Sequence, residues 1–313
     1  MKIAFYSNTL CLRGTEINLY NLANYNETLL NNKSIIISQR NTNLDALEKF
    51  ENRFEVILSD FEKIDSIITK EKIDWIYITK SGQIDKYVTN IIPSFIHVVF
   101  RNNQPHGSKY IYISDWLAKN QGYDPENYSL PYIVERMTNS YEDLRNYLNI
   151  PNDAIVFGCY GGEHQFDIEF VHDVIKNIVK NRKDIYFIFM NINKFHEDHH
   201  QIIHLPGTWD LNIKSKFINT CNAMLHARYM GESFGCAIAE FSMANKPVIT
   251  YNQSGDRCHI EILNDKGIYY SNRDELNDIL NNLNYYIKCD DFNTIYSKFS
   301  GENIISKFKK MID

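Results

Sequence analysis

Residues 224–250 read Met-Leu-His-Ala-Arg-Tyr-Met-Gly-Glu-Ser-Phe-Gly-Cys-Ala-Ile-Ala-Glu-Phe-Ser-Met-Ala-Asn-Lys-Pro-Val-Ile-Thr and carry the clearest structural pattern in the chain. An apolar run precedes a loop that contains Gly231 and Gly235, and a helical pattern and a second apolar run follow. This order predicts a strand, a loop, a helix and a parallel strand, which together form one βαβ unit. We therefore expect an α/β fold built on parallel sheets.

The loop of this unit is suited to binding an anion. Gly231 and Gly235 have no Cβ, so a ligand can approach the backbone closely. The helix that we expect to begin behind Ser233 and Phe234 would present unpaired N–H groups and the positive end of its dipole. A diphosphate group fits such a place.

Two glutamates frame the same helix. Glu232 precedes it and Glu240 follows eight residues later, which corresponds to roughly 12 Å along a helix axis. Both carboxylates can thus contact one extended ligand, such as a nucleotide sugar with its sugar and ribose hydroxyls, without contacting each other. The spacing alone equally allows an ordinary βαβ unit in which Glu232 is solvated.

Short apolar runs alternate with helical patterns along most of the remaining chain, which predicts two parallel sheets. A polar, turn-rich segment at 149–153 separates the two series. The predicted divisions are an N-terminal α/β domain at 1–135, a linker at 136–152, a second α/β domain at 153–290 and a terminal helix at 291–313. The helices predicted for the first domain are 16–30, 44–51, 61–70 and 84–91.

Composition excludes several classes of protein. The 313 residues suffice for two domains, and 44% hydrophobic and 23% charged residues are typical of globular proteins. A net charge of −6 argues against nucleic acid as the main partner. The six cysteines form no C-x-x-C pair, and no apolar run of about 18 residues occurs, so we predict a cytoplasmic protein without a transmembrane segment.

Common cofactor and metal motifs are also missing from the sequence. Neither a Gly-Lys-Ser/Thr phosphate loop nor a Gly-x-Gly-x-x-Gly fingerprint occurs, which argues against an NTPase or a dehydrogenase. The cluster His-Glu-Asp-His-His at 196–200 lies in a predicted loop without a fixed ligand scaffold. We therefore predict no metal site.

The segment that carries the two glutamates resembles the donor-binding motif of the retaining glycosyltransferases of family 4. That motif is similar to E-G-F-G-x-x-x-x-E-A-x-A-x-G-x-P-V-I, and this chain reads E-S-F-G from Glu232 and E-F-S-M-A-N-K-P-V-I from Glu240. The resemblance implies that Glu232 lies by the donor sugar as a catalytic residue and that Glu240 binds the nucleotide ribose. It further implies that the amides of Ser233, Phe234 and Gly235 hold the sugar and the phosphate.

Other segments extend the resemblance. The run Leu-Arg-Gly-Thr-Glu at 12–16 is similar to the family's G-G-x-E loop, which implies that Arg13 and Gly14 face the donor phosphate. The run Ile-Ile-His-Leu-Pro-Gly at 202–207 looks like the family's glycine turn near the base. His97 lies in a strand candidate and is a candidate for the histidine that contacts the donor sugar in related enzymes, although a structural histidine is an equally open interpretation.

One segment departs from the family. After the first strand of its second domain, the family usually has an Arg and a Lys in a pattern like G-R-x-x-x-x-K-G, and these cations neutralise the donor diphosphate. Here residues 158–167 read Gly-Cys-Tyr-Gly-Gly-Glu-His-Gln-Phe-Asp, with neither cation. Their loss would remove charge stabilisation from a departing diphosphate. We expect Arg228, together with Arg13, to take over this task, because guanidinium groups suit phosphate.

The resemblance implies a GT-B fold, in which two Rossmann-like domains face a central cleft and the C-terminal helix packs back on the first domain. It implies that the first domain binds a glycan or other hydroxyl acceptor and that the second binds a nucleotide sugar. The implied reaction is sugar transfer with retention of configuration, without a metal or a further cofactor. A nucleotide-sugar 2-epimerase of the same fold, or a degenerate protein that binds nucleotide or glycan without turnover, are the open alternatives.

Overall fold

Parallel pairing of short apolar strands builds both halves of the protein. The computed structural model describes residues 1–135 and 141–313, which divide into two units. The first unit consists of Met1–Ile133 together with Phe299–Asp313, and the second of Val134–Lys298. The first five residues of the predicted linker at 136–152 lie outside the described residues, and the rest of it belongs to the second unit.

The first unit is built on six parallel strands. These are β1 (Lys2–Ser7), β2 (Lys33–Ser38), β3 (Glu55–Leu58), β4 (Trp75–Lys80), β5 (Ser94–Val98) and β6 (Lys109–Tyr112). Its helices are α1 (Gly14–Thr28), α2 (Leu47–Glu51), α3 (Ile64–Glu71), α4 (Asp115–Asn120) and α5 (Pro125–Tyr128). The order β3-β2-β1-β4-β5-β6 is that of a doubly wound Rossmann-like sheet. Strand β1 lies between β2 and β4, and its residues Ile3, Ala4, Phe5 and Tyr6 have no exposed surface.

The second unit repeats this topology. Its strands are β7 (Ile155–Tyr160), β8 (Ile185–Met190), β9 (Ile202–Leu205), β10 (Ala223–His226), β11 (Gly231–Glu232), β12 (Val248–Tyr251), β13 (Asp256–Arg257) and β14 (Ile268–Tyr270). Its helices are α6 (Glu169–Asn181), α7 (Leu211–Thr220), α8 (Cys236–Met243), α9 (Cys258–Leu263), α10 (Arg273–Asn281) and α11 (Leu283–Tyr286). The main sheet has the order β14-β12-β10-β7-β8-β9, and β11 pairs with β13 in a separate short ribbon.

The last helix, α12 (Gly301–Ile312), belongs to the first unit. Its apolar side is buried, and the Phe308 ring packs 5.4 Å from that of Phe95 and 6.2 Å from that of Tyr77. The Ser300 hydroxyl caps its N-terminus by accepting a hydrogen bond from the Asn303 amide. Across 1–135 and 141–313, no helix combines the length and the hydropathy needed to cross a bilayer.

The predicted helix at 84–91 is wrong. This segment is irregular, and the Asp85 carboxylate accepts a hydrogen bond of 2.8 Å from the Tyr87 amide. Such local bonds from Asp and Asn side chains to the backbone compete with helix formation. Ile84 and Ile91, which would have marked the buried stripe, are 64% and 51% exposed.

Gly231, in β11, and Gly122, in an open turn, both have a left-handed backbone, so comparing them tests how closely β11 is packed. A Cβ on Gly231, which has φ of 76°, would overlap the carbonyl of Asp256, whereas a Cβ on Gly122, with φ of 84°, would meet nothing within 4 Å. We expect Gly122→Ala to lower the free energy of unfolding by about 1 kcal/mol. Gly231→Ala should lower it by roughly 3 kcal/mol or more, because the carbonyl cannot move without disturbing β13. Urea unfolding compares the two variants, and equal losses would contradict the close packing.

Candidate functional site

The candidate site lies where strands β7, β10 and β12 end at one edge of the second sheet. Ligands of doubly wound folds bind at the carboxyl ends of the strands. Tyr160 is the last residue of β7 and His226 the last residue of β10. Helix α8 leaves the same edge, after the loop and the short strand that follow β10.

The N-terminus of α8 is shaped for an anion. Gly235, in a left-handed conformation with φ of 93°, is its N-cap, and no described side chain caps the helix. The first turn itself holds no acidic residue, and the nearby Glu232 carboxylate is paired with Arg228. The helix begins at Cys236, slightly after the predicted start at Phe234, and its first amides and positive dipole end are available to a phosphate group.

Glu232 is held by two basic side chains. Arg228 Nη1 lies 3.0 Å from Glu232 Oε2, and His226 Nε2 lies 3.3 Å from Oε1. The other ring nitrogen of His226, Nδ1, lies 2.8 Å from the hydroxyl of Thr250 in β12. Because Nε2–H donates to the carboxylate, the Thr250 hydroxyl donates to Nδ1 when the ring is neutral. The Glu232 carboxylate thus links the end of β10 to the loop at Arg228, and His226 extends this link to β12.

These neighbours keep Glu232 ionised. Burial is the largest influence on its pKa and would raise it, but the hydrogen bond from His226 and the charges of Arg228 and His226 together lower the pKa from 4.5 to about 2. His259 packs beside this group, with its ring 5.1 Å from that of His226. Burial lowers the pKa of His259 to about 3, with a further contribution from His226, so its ring is neutral at physiological pH.

Glu240 has a separate environment, at the start of the second turn of α8. Lys214 Nζ, from α7, lies 2.6 Å from Glu240 Oε2 and 2.9 Å from Oε1. The hydroxyl of Tyr160, at the end of β7, donates a hydrogen bond to Oε2. The Glu240 carboxylate is thus fixed by side chains from two further elements.

Three of the predicted donor residues of the second unit lie together. Arg228 contacts Glu232, and a Cβ on Gly235 would lie 3.3 Å from the Glu232 side chain. Phe234 is different, because its side chain is 2% exposed and its ring packs 6.1 Å from that of Tyr296. The Phe234 side chain therefore belongs to the core of the unit.

The predicted residues of the first unit lie at the start of α1. Arg13 is exposed and occupies the N-cap position, and Gly14 is the first helical residue. Glu16 of the same motif is 4% exposed and accepts a hydrogen bond of 2.9 Å from the Ser7 hydroxyl and one of 3.3 Å from the Cys11 thiol. Burial raises the pKa of Glu16. This glutamate therefore ties the loop to β1.

His97 lies inside the first sheet. It has no exposed surface, its Nε2–H donates to the Leu130 carbonyl at 2.8 Å, and the Tyr77 hydroxyl donates to Nδ1. Burial lowers its pKa to about 3. Both ring nitrogens are thus engaged within the protein, which favours the structural interpretation over the predicted contact with a donor sugar.

The imidazole rings of the histidine-rich segment at 196–200 lie in pairs. His196 Nε2 and His204 Nε2 lie 3.1 Å apart, and the rings of His199 and His200 stack with centroids 4.8 Å apart. Among residues 1–135 and 141–313, no group of three or more His, Cys, Asp or Glu side chains is arranged to hold an ion.

Sequence reasoning missed three side chains of this site, namely Tyr160, Lys214 and His226. Tyr160 and His226 carry a usable signal, because each ends an apolar run that predicts a parallel strand. Lys214 carries none, since a lysine in the first turns of an amphipathic helix ordinarily faces solvent.

The lowered pKa of Glu232 predicts a pH dependence of stability. A carboxyl group whose pKa falls from 4.5 to about 2 on folding stabilises the folded state above pH 4.5, and this contribution is lost as the pH falls toward 2. Between pH 6 and pH 2.5 the wild-type protein should therefore lose about 2 kcal/mol more stability than Glu232→Gln. Urea unfolding across this range measures the difference. The exposed Glu261 provides the control, because Glu261→Gln should follow the wild-type curve.

The architecture is similar to that of solved structures, although no protein-family model and no curated protein matches the sequence. HepE from Anabaena, in complex with UDP-glucose, has a TM-score of 0.77 and 15% identity, covering 100% of this chain and 99% of its own. A glycosyltransferase from Rickettsia africae has a TM-score of 0.75 and 14% identity, covering 99% of this chain and 97% of its own. A candidate UDP-N-acetylglucosamine 2-epimerase from Listeria monocytogenes has a TM-score of 0.63 and 14% identity, covering 99% of this chain and 95% of its own.

These likenesses, together with the two Rossmann-like sheets, confirm the predicted fold class. At this level of identity they concern the fold alone, and the chemistry depends on the side chains of this chain. The chain has the GT-B fold.

Proposed function

We propose that this protein is a glycosyltransferase, which moves a sugar from a nucleoside-diphosphate sugar to a hydroxyl group of a glycan or another acceptor. The observation that carries the proposal is the arrangement around α8. An uncapped helix N-terminus, an ionised Glu232 paired with Arg228, and Glu240 in the second turn of α8 provide groups suited to a diphosphate, a sugar and a ribose. The UDP-glucose complex of HepE, which has the same fold, supports a nucleotide sugar as the donor.

The diphosphate is assigned to the amides of residues 233–235 and the start of α8. Arg228 supplies the cation, since its guanidinium lies 3.0 Å from Glu232 and can share its donors between that carboxylate and a phosphate oxygen. The roles of Arg13 and Gly14 stay predictions from the sequence resemblance. The proposed donor site requires no metal ion and no cofactor.

Glu232 is assigned to the donor sugar. Because its carboxylate is ionised, it can accept a hydrogen bond from a sugar hydroxyl and stabilise the positive charge that develops on the sugar ring as the diphosphate leaves. Retention of configuration is part of the proposal and rests on the resemblance of the Glu232 motif to family 4. The six cysteines are free thiols, which fits a cytoplasmic location.

A nucleotide-sugar 2-epimerase is the second candidate, because the Listeria structure named above shares the fold. The two reactions differ in their need for an acceptor. A transferase releases nucleoside diphosphate and a new glycoside when an acceptor is added, whereas an epimerase converts the nucleotide sugar alone. Incubation of a nucleotide-sugar panel with and without mixed acceptors, followed by chromatography, distinguishes them.

Binding of the donor diphosphate should depend on Arg228. We expect a nucleoside diphosphate or its sugar to raise the melting temperature of the wild-type protein by a few degrees and to lose about tenfold or more in affinity in Arg228→Met. Glu240→Ala should also weaken binding. A thermal-shift assay measures the rise in melting temperature. Calorimetric titration of UDP, ADP and GDP and their sugars measures the affinity of the wild-type protein and of each variant.

Arg273→Met is the matched control for this experiment. Arg273 is a half-exposed arginine of the same unit that pairs with Asp173 at 2.8 Å, so its loss should leave nucleotide affinity unchanged. Absence of binding by every nucleotide would contradict the proposed function. Binding that Arg228→Met does not weaken would contradict only the role given to Arg228.

A further inference from the structure

Glu240 is bound by two side chains to which the proposed function gives no role. Lys214 Nζ donates a hydrogen bond of 2.9 Å to Oε1 and lies 2.6 Å from Oε2, and Tyr160 donates to Oε2. The Lys214 ammonium also lies 4.9 Å from the centre of the Tyr160 ring. The side chains of Lys214 and Glu240 are 11% and 13% exposed. The pair is therefore largely buried, with a small face open to a ligand.

Fold stability alone is a weak explanation for this ion pair. Burying two charges removes their hydration, and replacing a buried pair by apolar side chains of similar volume is often neutral or stabilising. Tyr160, Lys214 and Glu240 come from β7, α7 and α8, which meet at the edge of the sheet where ligands of this fold bind. This position favours a role in binding.

The hydrogen bonds within the Lys214–Glu240 pair leave specific donor and acceptor positions for a ligand. A carboxylate offers about four acceptor positions, two on each oxygen, and an ammonium group has three N–H donors. Oε2 of Glu240 accepts a hydrogen bond from Tyr160 and faces the Lys214 ammonium, whereas Oε1 accepts one from Lys214 and, among the described residues, keeps one acceptor position. Lys214 approaches both oxygens through one side of its ammonium group, so at least one N–H donor remains for a ligand. The pair thus offers one acceptor and one donor next to each other.

We propose that Glu240 and Lys214 together bind the two neighbouring hydroxyls of the nucleotide ribose. The 3′-hydroxyl donates to Glu240 Oε1, and the adjacent 2′-hydroxyl accepts from a remaining N–H of Lys214. This inference rests on the proposed function, because it takes the ribose to lie at Glu240. Tyr160 is a positioning residue, since it occupies Oε2 and leaves the second hydroxyl to Lys214. Lys214 therefore determines specificity for ribonucleotides.

The test compares ribonucleoside and 2′-deoxyribonucleoside diphosphates of uracil, adenine and guanine, titrated calorimetrically into the full chain. The wild-type protein should bind one ribonucleoside diphosphate at least about tenfold more tightly than its 2′-deoxy form, because a hydrogen bond to a charged group is lost. Lys214→Met should reduce this preference to about threefold or less. Lys216→Met is the matched control, because Lys216 lies on the same helix, pairs with Glu142 at 2.7 Å and should keep the wild-type preference.

A second set of variants keeps the test valid if Lys214→Met fails to fold. Lys214→Met leaves the Glu240 charge unpaired, whereas the double variant Lys214→Met/Glu240→Gln leaves no buried charge. The ribose preference should be smaller in the double variant than in Glu240→Gln alone, and circular dichroism verifies folding.

The outcomes separate this inference from the proposed function. A wild-type protein that binds no nucleoside diphosphate would contradict the proposed function itself. A wild-type protein that binds ribo and deoxy forms equally, or a folded Lys214→Met variant that retains the full preference, would overturn the role of Lys214 while the proposed function stands.

Discussion

The ionised carboxylate of Glu232 is the feature on which the rest of the candidate site depends. Its burial favours the protonated form, and the hydrogen bond from His226 and the charge of Arg228 are the two largest influences that reverse that preference. Both partners are fixed by the backbone. His226 ends β10, and the loop from Arg228 returns to Glu232 through Gly231, whose left-handed conformation brings β11 against β13. The electrostatics of the site thus follow from one tight turn.

Much of the fold could be predicted, because buried parallel strands read as continuous apolar runs. Runs such as Ile185–Met190 are apolar along their whole length, since both faces of the sheet are covered. The prediction failed at 84–91, where isoleucines at helical spacing suggest a helix but Asp85 bonds the local backbone. Helix α10 is difficult to predict from the sequence, although Asn272 caps it and Leu276, Ile279 and Leu280 form its buried side. Its other residues are mostly polar, which obscures the helical spacing of the three apolar residues.

The site could be predicted only where chemistry and local sequence coincide. Glu232, Gly235 and Glu240 lie within one loop and helix, so their spacing can be read directly from the chain. The partners that decide their state are distant in sequence: Lys214 and Tyr160 reach Glu240 across 26 and 80 residues. Such pairs form only when the sheet order brings β7 beside β10. His97 illustrates the converse, because a polar residue in a strand resembles a site residue until its two buried partners are known.

The charges of the candidate site are balanced in pairs. Each carboxylate of the site is matched by one cation from the protein, Arg228 for Glu232 and Lys214 for Glu240, so the side chains add little net charge near α8. In the proposed function, attraction for a diphosphate therefore comes from the helix amides and dipole together with the donors of Arg228 that Glu232 leaves open. The end of β7 supplies Tyr160, whose hydroxyl donates to Glu240. The carboxylate that we assign to the ribose is thus fixed from both β7 and α7 before a ligand binds.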